Sequence, residues 1–147
     1  MELKTLENIK IIPKGTWREE TILGFVSSGD GSYITAGTGD SSIEVTTIDK
    51  EIKEKVTFIK MDIEGSELES LHGASKIIRR DMPKLAICCY HKKDDIITLY
   101  NCMKNIENQE KEYRIYLRHH SNSSLETILY AIPVRKKKRL KGHVLKM

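Results

Sequence analysis

Residues 56–74 read VTFIKMDIEGSELESLHGA, and this stretch decides the fold. Val56, Phe58, Ile59 and Met61 make a short apolar run of strand composition. The run ends at Asp62. Ser66 and Glu69 then have capping-box spacing, which predicts a helix starting at Ser66. Leu68, Leu71, Ala74, Ile77 and Ile78 line one face of that helix to about residue 80, and Pro83 closes it. Asp62, Glu64 and Glu67 therefore crowd a strand–helix junction.

Downstream, KLAICCYH (84–91) is almost continuously apolar, as a strand covered on both faces would be. Asp94 and Asp95 open a second helix, with Ile96, Leu99, Tyr100, Met103 and Ile106 expected on its buried side. YRIYLRH (113–119) and ETILYAIP (126–133) read as two strands joined by a polar loop. Upstream, IKIIP (9–13) reads as a short strand stopped by Pro13. TILGFVSS (21–28) and GSYITAG (31–37) read as a hairpin around Gly29-Asp30-Gly31. IEVTTID (43–49) reads as a strand or an extended entry, and DKEIKEK (49–55) as a helical turn. This order predicts an α/β fold: a mostly parallel sheet that ends in an antiparallel hairpin. Ligands of open α/β sheets gather at the carboxyl ends of strands, and Asp62, His91 and His119 each fall at such an end.

The 147 residues suit one ordinary domain with a modest core, at 39% hydrophobic and 31% charged. No run approaches the ~18 uninterrupted apolar residues of a membrane helix. The start, MELKTLENIK, lacks the basic-then-apolar order of a secretory signal. Cys88, Cys89 and Cys102 are an odd count without framework spacing, which points to buried thiols in a reducing, cytoplasmic setting. The net charge of +4 comes from the end of the chain: residues 135–147 hold seven Lys/Arg and no acid, and the rest holds 18 basic against 21 acidic side chains. The sequence thus divides into a body, 1–134, and a basic tail, 135–147. The tail has no interleaved aromatic residues, so no nucleic-acid partner is expected.

FIKMDIEGSELESLHGA, PKLAICCYH, YRIYLRHHS and ETILYA, in this order, resemble the FkbM family of S-adenosylmethionine-dependent methyltransferases. The resemblance implies a Rossmann-like methyltransferase sheet and methyl transfer to a hydroxyl of a sugar or other small acceptor. The cofactor it implies is S-adenosylmethionine. Such enzymes carry a glycine-rich turn after their first strand and an acid after the second, and neither is identifiable here. GTGDSS (37–42) is neither preceded by an apolar strand nor followed by a helical pattern. The expectation is a partial domain that lacks the N-terminal strands and exposes one edge of the 56–61 strand. Self-association or pairing with a complementing N-terminal half follows from that edge. A non-catalytic remnant that pairs with another polypeptide is the alternative.

Methyl transfer needs acceptor and methyl held in attacking geometry, and a hydroxyl acceptor benefits from a group that takes its proton. Asp62, Glu64 and His91 are the candidate catalytic residues. His119 and Arg118 are candidates for binding the acceptor. Glu67 reads as a first-turn acid favoured by the helix dipole. Asp62, His91 and His119 have no compact ligand spacing, so no metal is expected from the sequence.

Overall fold

A computed structural model of the chain describes residues 8–28, 31–35, 37–123 and 125–137. Residues 29 and 30 of the expected hairpin turn, and most of the basic tail, lie outside the described residues.

The elements run β1 (Gly15–Thr16), β2 (Thr21–Val26), β3 (Tyr33–Thr35), β4 (Ser41–Thr46), α1 (Ile48–Glu51), β5 (Phe58–Met61), α2 (Glu67–Gly73), α3 (Ser75–Asp81), β6 (Lys84–Cys88), α4 (Asp95–Asn105), β7 (Lys111–His119) and β8 (Thr127–Arg135). They build two four-stranded sheets, ordered β1-β4-β2-β3 and β5-β6-β8-β7. The expected hairpin is present as the antiparallel pair β2–β3. Residues 9–13 form no strand; the chain joins the sheet only at Gly15, which pairs with Val45. Pro13 has no amide to donate, and Ile9 and Ile11 are exposed at 62% and 80%, so nothing holds this segment in a ladder.

The second sheet is mixed rather than mostly parallel. β5 and β6 pair in parallel, with Met61 opposite Ile87. β8 runs the other way and sits between β6 and β7, so both remaining ladders are antiparallel. β8 returns beside β7, and antiparallel pairing also lets it join the inner edge of β6. β5 is left at the edge of this sheet, with Phe58 55% exposed.

The helix expected over 66–80 is two helices that meet at Ala74. Ser66 makes no side-chain cap, and Glu69 pairs with Arg18 instead of closing a capping box. α3 takes its N-terminal cap from another element: Asp49 accepts from the amides of Lys76 and Ile77 at 3.0 and 2.8 Å. Leu71, Ala74 and Ile78 pack on Leu85, Ile87 and Leu129 of the sheet. On α4 the buried residues are Asp95, Leu99, Cys102 and Met103, so the face is rotated from the expected one, and Ile96 and Tyr100 are exposed at 42% and 43%. Asp95 turns inward because its carboxylate accepts the Lys92 amide at 2.7 Å, closing the loop before the helix.

The end of α3 is tied to the entry of β5 through Asp81. Its Oδ2 accepts from the Val56 amide at 2.8 Å, and Arg80 donates to both carboxylate oxygens. The Arg80 hydrogen bonds, aided by the Val56 amide, outweigh burial and lower the Asp81 carboxyl to about 2 from its usual 3.8. A folded-state value below the unfolded one stabilises the protein above about pH 4, and that contribution is lost as the pH falls toward 2. Asp81→Asn is expected to lower unfolding free energy at pH 7 by about 1.5–3 kcal/mol, the range for hydrogen bonds to a charged group. It also flattens the loss of stability between pH 4 and 2. Urea titrations at pH 7 and pH 3 measure both; an unchanged difference between the two pH values in the variant would show that Asp81 is not the responsible group.

Candidate active site

Because β5 and β6 are parallel, their carboxyl ends share one rim. Asp62 follows β5 directly, and His91 follows β6 by three residues. Between Asp62 and α2 the chain turns back through a left-handed pair, Glu64 (φ 55°) and Gly65 (φ 85°). Glycine suits the second position for two reasons. Its φ disfavours any side chain, and a Cβ there would lie 3.1 Å from Lys92 Cε. Lys92 Nζ donates to the Gly65 carbonyl and pins the turn to the His91 loop. A left-handed non-glycine residue is strained backbone, and here it accompanies the placement of an acid at the rim.

The turn brings three acids around one imidazole. His91 Nδ1 lies 3.1 Å from Glu67 Oε1, while Nε2 lies 3.5 Å from Glu64 Oε2 and 3.7 Å from Asp62 Oδ1. The His91 side chain is 10% exposed and that of Glu67 1%, whereas Asp62 and Glu64 face solvent at 38% and 48%. The imidazole is thus largely enclosed, with carboxylates beside both ring nitrogens. Glu67 Oε1 also accepts the Ile63 amide at 2.9 Å. Tyr90 donates its hydroxyl to Asp62 Oδ1 at 2.9 Å and stacks at a tilt on His91, ring centroids 4.2 Å apart.

Burial pushes the Asp62 carboxyl up, but hydrogen bonds from Tyr90 and Cys88 and the charge of Lys60 outweigh it. Asp62 therefore titrates below the usual carboxylate range and is ionised at neutral pH. The same contact, after burial, raises the Tyr90 phenol above its ordinary value. Burial, then Asp62, pushes the Cys88 thiol up to about 12, so it is no nucleophile. Beside the cluster a cavity of about 290 Å³ is lined by Tyr33 and Ile34 of β3 and by Glu64, Gly65, His91 and Lys92. The N-terminal sheet overhangs the rim at this point.

Asp62, Glu64 and His91 come together; His119 and Arg118 do not join them. β7 runs in the same direction as β5 but at the opposite edge of the sheet, three strand spacings away, or ~14 Å. His119 Nδ1 is 2.8 Å from Thr127 Oγ1 of β8, and Arg118 is exposed. Tyr90, Lys92 and the buried Glu67 are members of the cluster that sequence reasoning missed or underrated. One signal for Glu67 was present: 67, 71, 74 and 78 share helical spacing, so Glu67 is an acid on the apolar stripe of α2 and α3.

The FkbM methyltransferase domain family matches residues 4–123. The chain belongs to that family. The crystal structure of an FkbM methyltransferase from Methylobacillus flagellatus superimposes with a TM-score of 0.68 and 35% sequence identity. The likeness covers 86% of this chain and 29% of that one, so the chain spans less than a third of that relative's length. No curated protein matches the sequence. Against this FkbM background the Asp-x-Glu-Gly-x-Glu junction, residues 62–67, lies wholly within the matched region. Among the described residues no helix is long and apolar enough to cross a membrane.

Proposed function

We propose that the Asp62–Glu64–His91 rim serves S-adenosylmethionine-dependent O-methylation of a sugar or other small hydroxyl acceptor, on a Rossmann-like sheet. The observation that carries this reading is a nearly enclosed imidazole flanked by carboxylates at both ring nitrogens, at the carboxyl ends of paired parallel strands in an FkbM domain. The cofactor supplies the methyl group. In this reading the described residues do not make its cradle. Among the described residues no strand leads through a glycine turn into a long helix. The close-packed glycines serve the N-terminal sheet instead: a Cβ at Gly39 would lie 2.5 Å from the Phe25 carbonyl oxygen, and one at Gly24 2.3 Å from that of Gly37. What these residues can do is hold the acceptor. Its hydroxyl fits the cavity under Tyr33 and Ile34, with Glu64 in the lining, and Asp62 beside it on the same imidazole, available to take up the proton, and Glu67 beside Nδ1.

The free edge of β5 supports a partner for the cofactor side. A cavity of about 390 Å³ runs along it, lined by Ile12, Thr46, Ile48, Phe58 and Ile59 among others. An exposed apolar edge takes up an added strand. The occupant in this reading is a polypeptide segment carrying the cofactor turn, since the relative has more than twice as much chain beyond the matched part. Three free, buried thiols accord with a reducing cytoplasm. The chain by itself is expected to bind S-adenosylmethionine negligibly, and to bind it when a fragment with the family's first two strands is added. Calorimetric titration and radiolabelled methyl transfer test this. Micromolar binding by the chain alone overturns the missing cradle. Failure of both binding and transfer with the fragment leaves the second reading, a non-catalytic half-domain that pairs with another polypeptide through the same edge.

A further inference from the structure

The rim cluster has buried polar atoms that its own side chains leave unsatisfied. Both ring nitrogens of His91 and Oε2 of Glu67 are buried without a hydrogen-bond partner. The 3.1 Å approach of Nδ1 to Glu67 Oε1 brings the groups together without hydrogen-bond alignment. A fully buried carboxylate with an unpaired oxygen, facing two further acids, is costly unless a cation compensates it. The neighbouring lysines do not fill that role. Lys60 Nζ is 3.7 Å from Asp62 Oδ2 and 57% exposed, and Lys92 Nζ is committed to the Gly65 carbonyl.

Asp62, Glu67 and His91 can each offer one ligand atom, all within 4.8 Å of one another. A divalent ion bonded at ~2.0–2.2 Å places its ligand atoms about 3–4 Å apart, so small side-chain rotations close the set. We propose that Asp62, Glu67 and His91 bind a divalent first-row transition cation at the rim, with Glu64 beside its open side. Two carboxylates neutralise the dication, and the imidazole with carboxylate oxygens suits Mn²⁺ or a neighbour in the series. Sequence spacing gives no hint of this, because the ligands come from the end of β5, the start of α2 and the loop after β6.

The site deepens the methyl-transfer reading and, in its catalytic role, rests on it. Three protein ligands leave coordination positions free for water or an acceptor hydroxyl. A hydroxyl bound there gives up its proton more readily, and Glu64 is placed to accept it. The ion would therefore select acceptors with an accessible hydroxyl, above all those with a second oxygen that can chelate.

The full chain should be titrated with Mn²⁺ and the free ion followed by its paramagnetic resonance signal. The expected result is one ion per folded chain. Glu67→Gln and His91→Gln should weaken binding by at least the ~10–100-fold that loss of a supporting partner costs. Glu69→Gln, which alters only the Arg18 pair, should leave binding unchanged. Mn²⁺ should also raise the melting temperature of the wild type and not of the two site variants, with folding checked by circular dichroism. If Glu67→Gln fails to fold, Asp62→Asn gives the same readout from a partly exposed side chain. Absence of Mn²⁺, Mg²⁺ and Zn²⁺ binding by folded wild type, or equal binding by the variants, overturns the proposal. The two readings fail separately: bound Mn²⁺ without methyl transfer in the complemented protein removes the reaction and keeps the site. Methyl transfer undiminished by a chelator removes the ion and keeps the reaction.

Discussion

Alanine at His91 or at Asp62 is expected to lower methyl transfer by about 10²–10⁴-fold in an assembly that binds the cofactor, the usual loss when a positioned proton-transfer group is removed. The geometry separates this from a folding defect. Asp62 is 38% exposed and belongs to no apolar cluster, so its loss should cost little stability. His91 is more enclosed, and its variant must be compared at equal folded fraction. Glu67→Gln is the informative third member. It keeps the shape of the side chain but removes the charge beside Nδ1, so it should reduce the turnover number. Single-turnover rates with the acceptor saturating decide the point. Near-normal rates for both His91→Ala and Asp62→Ala would remove the rim from the mechanism. In contrast, His119→Ala should have a small effect, because His119 stands at the other edge of the sheet.

The largest stability effect is expected at Gly73. The chain crosses α2 there, and a Cβ on Gly73 would lie 2.0 Å from the Trp17 carbonyl oxygen and 3.0 Å from its carbon. The obstructing atoms are backbone, fixed by the Trp17 amide bond to the Thr46 carbonyl at 2.8 Å and by the β1–β4 ladder beside it. Neither side can yield by a rotamer change. Gly73→Ala should therefore cost at least ~2–3 kcal/mol, at the upper end for overpacking, and should loosen the N-terminal sheet from α2. The hydroxyl contact of Thr16 with Ser70, 2.7 Å long, would be broken with it. Gly31→Ala is the control. A Cβ there meets nothing within 4 Å, so its effect should stay within about 0.5 kcal/mol. Urea unfolding followed by Trp17 fluorescence reports the crossing directly, since this is the chain's single tryptophan. Equal midpoints for the two variants would mean that the chain does not cross α2 at Gly73.

The sequence by itself determined the elements that rest on local pattern. The apolar runs of β5 and β6, the helical stripe through α2 and α3, and the pairing of β2 with β3 and of β7 with β8 are each set by residues a few positions apart, whereas the buried face of α4 is rotated from its expected pattern. Hydrogen bonding and side-chain periodicity act over that range. The same local reading placed Asp62 and His91 at strand ends, and so found the rim. Only the tertiary structure decided which strand ends meet. His91 and His119 look alike in sequence, each a histidine after a strand. Parallel pairing of β5 with β6 brings the first to Asp62, and insertion of β8 between β6 and β7 carries the second away. Glu67 and Glu69 make the same point within one helix. Both are first-turn acids, yet one is buried against His91 and the other pairs with Arg18, just after β1. Two residues on a helix point some 200° apart, so their fates depend on what packs against each face. Those neighbours come from residues 17–18 and 91, distant in the chain and set beside α2 only once both sheets have formed.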